Sequence, residues 1–198
     1  MARIEPAAAV GFAALLLAGP AAAHSGTGLP GGFAAGFMHP LSGLDHLLAM
    51  VSVGLWGAIL GRPLVYALPV VFPAMMVAGA IIGMVGLSLP PVELGIAVSV
   101  LALGGSVALS WRAPVWTAVA LVALFALFHG YAHGRELPSA ADPIGYSAGF
   151  VLATGLLHGL GIGLGLVEGL PGGALAIRGL GLAIGAAGLW FLGQAVGA

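Results

Sequence analysis

The stretch VYALPVVFPAMMVAGAIIGMVGL, residues 65–87, holds no charged or amide side chain. Wound as a helix at ~1.5 Å per residue, it is long enough to cross the ~30 Å hydrocarbon layer of a bilayer. The whole chain shares this character: 198 residues, 61% hydrophobic, 6% charged, without a lysine. A mean hydropathy of +1.16 belongs to a membrane protein, not to a soluble core. Comparable runs lie at about 41–60, 92–110, 114–132, 143–164 and 173–196. Between them stand the expected breakers: Gly61-Arg62-Pro63, Leu89-Pro90-Pro91, Trp111-Arg112-Ala113-Pro114, the polar run from His133 to Pro143, and Glu168-Gly169-Leu170-Pro171-Gly172. The pattern predicts an all-α, polytopic membrane protein, with six transmembrane helices in a single domain over residues 24–198.

Residues 1–23 read as a signal peptide: Arg3 in a short basic head, an apolar stretch from Ala7 to Ala18, Pro20, and Ala21-Ala22-Ala23 as the cleavage site. Cleavage there makes His24 the first residue of the mature chain, outside the cytoplasm. Counting spans then puts Arg62, Arg112 and Arg178 on the cytoplasmic side, as the positive-inside rule asks, with Arg135 on the periplasmic side. A near-neutral charge with arginines scattered singly excludes a nucleic-acid surface. The absence of cysteine excludes disulfides, thiolate metal sites and Cys nucleophiles. Within the fifth span, Gly155, Gly159 and Gly163 recur every four residues, a small-residue stripe expected to place this helix at the centre of the bundle.

Against this background the ionisable residues stand out, because a central aspartate in a span costs on the order of 2.5–3.5 kcal/mol on insertion scales. FMHPLSGLDHLLAM, Phe37 to Met50, sets His39, Asp45 and His46 at the head of span one. A seven-residue step returns to one helix face, so His39 and His46 are expected to point the same way, with Asp45 a direct oxygen ligand or the acceptor that fixes a histidine tautomer. FHGYAHGRELP, Phe128 to Pro138, sets His129, His133 and Glu136 on one stripe at the end of span four. An i, i+4 histidine pair is a common way to hold a metal on a helix. Both clusters fall at the same membrane depth and can converge. His158 lies alone deeper in span five, either a bonding group between helices or a ligand. Met50, Met75, Met76 and Met84 read as packing. The amine and imidazole of His24, once exposed by cleavage, form a further candidate chelate.

The segments HPLSGLDHLLAMVSVGLWGA (His39 to Ala58) and FHGYAHGRELP resemble the two signature motifs of the HupE/UreJ family, and the resemblance extends over essentially the whole chain. It implies a nickel or cobalt permease of the bacterial inner membrane, with the motif positions falling on His39, Asp45, His46, His129, His133 and Glu136. The spacing H-x5-D-H is one residue longer than the H-x4-D-H of the wider nickel/cobalt transporter group, so ligand geometry is not carried over from that group. The expected activity is therefore transport, not catalysis: Ni²⁺ or Co²⁺ is the cargo, the lipid bilayer is the other partner, and no prosthetic group is expected. An imidazole and carboxylate set suits such ions. No G-x4-G-K-[ST] loop is present to couple ATP. The competing readings are an intramembrane metalloenzyme, which lacks H-E-x-x-H, and a membrane metallochaperone using the same histidines.

Overall fold

The computed structural model describes residues 32–89, 91–136 and 142–197. The signal peptide expected at 1–23 and His24 lie outside the described residues. Within them the protein is helical throughout: α1 (Phe33–Ser42), α2 (Leu44–Leu60), α3 (Leu64–Met84), α4 (Val92–Ala108), α5 (Val115–Glu136), α6 (Pro143–Gly165) and α7 (Gly173–Gly197), with a 3₁₀ turn at Leu166–Gly169. Each apolar run read from the sequence coincides with a helix or, for the first, with a broken pair. By length and composition α3, α5, α6 and α7 are each able to cross a membrane, and the pair α1–α2 passes the same test together. The 17-residue α4 is shorter, about 25 Å at ~1.5 Å per residue. Outward-facing positions such as Leu175, Leu182, Val70 and Leu189 are large and apolar, as lipid contact requires. The chain is a multi-pass membrane protein.

The first span is not the continuous helix expected from 41 to 60. It breaks at Gly43, and α1 and α2 meet at 85°. Gly43 is extended (φ −91°, ψ 110°), and its N–H and the Ser42 hydroxyl both satisfy the His39 carbonyl that the break leaves over. Helix α2 then starts afresh with Asp45 in its first turn, where an acidic side chain is favoured by the helix dipole. His39 and His46 therefore do not share a helix face. Helix α5 differs in the other direction: it continues four residues beyond the apolar run that ended at 132, through His133 to Glu136.

Three tightly packed helix pairs organise the bundle: α2 with α6, α3 with α5, and α4 with α7. In each, glycine lets one backbone touch the next. A methyl group on Gly54 would run into the His158 carbonyl, and one on Gly161 into the Val51 carbonyl; Gly79 and Gly130 play this part between α3 and α5, and Gly104 and Gly181 between α4 and α7. The registers make the first two pairs parallel and the third antiparallel. Six alternating crossings would relate spans one and five, two and four, and three and six in this way.

The stripe Gly155, Gly159 and Gly163 does not serve this packing. Nothing approaches within 4 Å of where their Cβ atoms would be, and all three face outward, whereas Gly149, Gly161 and Gly165 on the opposite side of α6 make the contacts. Gly161→Ala should accordingly cost about 1–3 kcal/mol, the usual scale of overpacking. Gly159→Ala should leave the melting temperature in detergent unchanged. Equal behaviour of the two variants would contradict the assignment of faces.

At one end of the bundle Trp56 stacks on Trp111 and donates its indole N–H to the Trp111 carbonyl (2.9 Å), while Arg178 Nε donates to the Ala108 carbonyl (2.9 Å). These contacts tie the ends of α2 and α4 and the start of α7 together, so Arg62, Arg112 and Arg178 lie at one end. The histidine motifs lie toward the other.

Candidate metal centre

Four histidines from three helices form one cluster. His39 sits on α1, His46 on α2, and His129 with His133 on consecutive turns of α5. Ring centroids are 4.7 Å apart for His39–His133, His46–His133 and His46–His129, and 6.1 Å for His39–His46. The 85° bend brings His39 to the others, a job the expected helical periodicity does not do. His46, His129 and His133 are buried, while His39 is partly exposed and also contacts Tyr146 and Phe150 of α6. Helix α5 carries the i, i+4, i+7 stripe on to Glu136, whose side chain lies outside the described set.

Hydrogen bonding fixes which nitrogen of two rings carries the proton. Asp45 Oδ1 lies 2.9 Å from His46 Nδ1 and also accepts the His46 backbone N–H at 2.8 Å. An ionised carboxylate only accepts, so Nδ1 bears hydrogen and Nε2 of the neutral ring is a bare lone pair. Gly43 leaves room for this arrangement, since a Cβ there would press within 3.1 Å of Asp45 Oδ1 and 3.3 Å of His46 Nδ1. In His129 the roles are reversed by Ser99 of α4. The Ser99 hydroxyl spends its one hydrogen on the Ile96 carbonyl (2.6 Å), so at 2.9 Å from His129 Nε2 it acts as acceptor. Nδ1 of His129 is then the bare nitrogen. Both His46 Nε2 and His129 Nδ1 are fully buried and have no hydrogen-bond partner among the described residues.

Buried lone pairs of this kind cost about 1–3 kcal/mol each, and two held in one cluster are what a cation would relieve. The rings pack edge to face as they stand, and among the described residues no three His, Asp or Glu side chains already surround a common point as metal ligands. Closing on an ion therefore takes rotation of imidazoles. A half-open apolar cleft of about 90 Å³, bordered by His133, Pro73, Met76, Gly130, Tyr146 and Phe150, lies beside the His133 ring.

Ser99 was not legible as a site residue, because a lone serine 30 positions from His129 carries no local signal. Its role is testable. Ser99→Ala leaves the His129 Nε2–H without an acceptor and releases the tautomer, so Ni²⁺ affinity should fall about 10–100-fold, the scale of losing a group that orients a ligand. Unchanged affinity in a folded Ser99→Ala protein would show that the tautomer is set otherwise.

His158 lies elsewhere, on α6 against α2 and α3. The Phe72 ring touches both it (centroids 5.4 Å) and His129 (5.7 Å), and so stands between the two.

Comparison with known proteins bears on the whole of this architecture. The family model described as HupE / UreJ protein matches residues 12–191. The relative called Protein HupE, from Rhizobium leguminosarum bv. viciae, is 44% identical over 179 residues, covering 85% of this chain and 94% of its own. No solved structure matches.

Proposed function

We propose, from the premise that this chain belongs to the HupE/UreJ family, that it is a permease carrying Ni²⁺, and Co²⁺ as a second cargo, across the bacterial inner membrane. The observation that supports this most is the pair of bare, buried imidazole nitrogens, His46 Nε2 and His129 Nδ1, held in one cluster by Asp45 and Ser99. His39 and His133 add two more rings, and we count Glu136, the next acidic residue of the second motif, as a candidate carboxylate ligand. Imidazole suits borderline divalent ions, and a set without thiolate binds weakly enough to release them.

The six segments cross the membrane alternately, with α1–α2 as a bent first span. Arg62, Arg112 and Arg178 at one end mark the cytoplasmic side. The histidine cluster then faces the periplasm, where the leader would deliver the mature N-terminus, and His24 there assists capture. Catalysis is disfavoured because Asp45, the carboxylate beside the cluster, is engaged twice by His46 and is not placed to serve as a general base.

Uptake of labelled Ni²⁺ by a nickel-starved host expressing the chain tests the reading, with Co²⁺, Zn²⁺ and Cu²⁺ as competitors. Accumulation well beyond one ion per protein is expected. Retention of about one ion per protein would favour a chaperone or an enzyme instead.

A further inference from the structure

Below the cluster, toward the arginine end, α2, α3 and α6 enclose a second set of donors. His158 is 1% exposed, and neither ring nitrogen has a well-formed hydrogen bond among the described residues. The Pro69 backbone lies beside its ring. Pro69 and Pro73 are both inside α3. Proline has no N–H, so Pro73 leaves the Pro69 carbonyl without its intrahelical donor. One turn before His158 on the same face, Thr154 Oγ1 donates to Met50 Sδ at 3.5 Å, and both residues are 0% exposed. Met50 in turn lies one turn beyond His46 on α2. Gly54 admits the His158 backbone against α2, which puts the His158 level about 12 Å further in than His46 at ~1.5 Å per residue.

We infer that His158, Met50, Thr154 and the freed Pro69 carbonyl form a second cation station, with nitrogen, sulfur and oxygen donors that select borderline over hard divalent ions. Imidazole with thioether favours Ni²⁺ or Cu²⁺ over Mn²⁺ or Mg²⁺, which prefer oxygen. The station is distinct from the outer cluster because the two share no ligand. Met50 is thus a ligand as well as a packing residue, and the sulfur that Thr154 bonds is the atom the ion would claim, freeing the hydroxyl oxygen to turn toward it. A neutral donor set deep in the bundle binds more weakly than one with a carboxylate, which suits an ion passing through.

This inference rests on the reading of the chain as a permease, and two measurements on the same full-length protein separate them. Equilibrium ⁶³Ni²⁺ binding in nanodiscs and ⁶³Ni²⁺ uptake into proteoliposomes are compared for the natural chain, Met50→Leu, His158→Gln and His46→Gln, with melting temperatures as a control. Met50→Leu conserves apolar volume and should melt near the natural chain. The natural chain should show two classes of bound ion. Met50→Leu and His158→Gln should each weaken the same one class by about tenfold or more, as loss of a ligand or of the group orienting one does. They should slow uptake with its external half-saturation unchanged, while His46→Gln weakens only the other class. Uptake by the natural chain with full rates per folded molecule in both Met50→Leu and His158→Gln would overturn the station and leave the permease standing. Two binding classes without uptake would overturn the permease and leave the station.

Discussion

His46→Ala should abolish Ni²⁺ uptake while the protein still reaches the membrane at normal amounts. The substitution removes the bare Nε2 and leaves Asp45 bonded only to a backbone amide, so the cluster loses a donor and its orienting contact together. Asp45→Asn should be milder, because an amide oxygen can still accept from His46 Nδ1 but no longer carries charge. Affinity about 10–100-fold lower is expected there, with uptake measurable at raised Ni²⁺. His129→Ala should resemble His46→Ala. Normal uptake in all three variants, at matched protein levels, would remove the outer cluster from the transport path.

Acid should have the next largest effect. An imidazole binds a cation only when neutral, and an unperturbed histidine titrates near about 6.5. Below the value that applies, proton and ion compete for the same lone pair, so each ligating histidine removes about tenfold in affinity per pH unit, and two remove about a hundredfold. Affinity is thus fully present at high pH and lost as pH falls. Equilibrium affinity must be measured apart from flux, because a proton-coupled carrier can run faster in acid. Titration of Ni²⁺ into the purified protein should show the steep fall in the natural chain and a shallower one in His129→Ala. An affinity that stays flat down to the most acid pH at which the protein remains folded would mean that the histidines are not the ligands.

Much of the architecture is carried locally and so was readable in the chain. The run at 65–87 is α3 within a few residues, and 143–164 and 173–196 are α6 and α7, because a bilayer sets helix length directly through apolar composition. The break in the first span was not readable. Gly43 looks like any tolerated glycine until Gly36 and Gly149 are seen packing α1 on the start of α6, a contact more than a hundred positions long in sequence. The seven-residue spacing of His39 and His46 suggested a shared face, and the residues do meet, but through the bend. The stripe of Gly155, Gly159 and Gly163 shows the same division between period and face. Its periodicity is real, yet which side of α6 meets a neighbour depends on α1 and α2, and these take Gly149 and Gly161 instead.

The site divides in the same way. Both histidine motifs were visible, because ionisable residues in an apolar chain are conspicuous, and the structure brings His39, His46, His129 and His133 into one group. Asp45 is placed as the acceptor that fixes the His46 tautomer. What local reading did not reveal were the groups that act across helices: Ser99 on His129, Phe72 between His129 and His158, and Thr154 on Met50. Serine, phenylalanine, threonine and methionine are ordinary in spans, and only a partner brought close by folding gives them a function.

The most direct test is X-ray absorption at the nickel edge on the purified full-length protein loaded with one equivalent of Ni²⁺. The bare nitrogens of His46 and His129 predict imidazole scattering from at least two rings in the natural chain, reduced in the double variant His46→Gln/His129→Gln under the same loading. Oxygen-only coordination in the natural chain, or an unchanged spectrum in the double variant, would contradict the cluster as the site where the ion is first held.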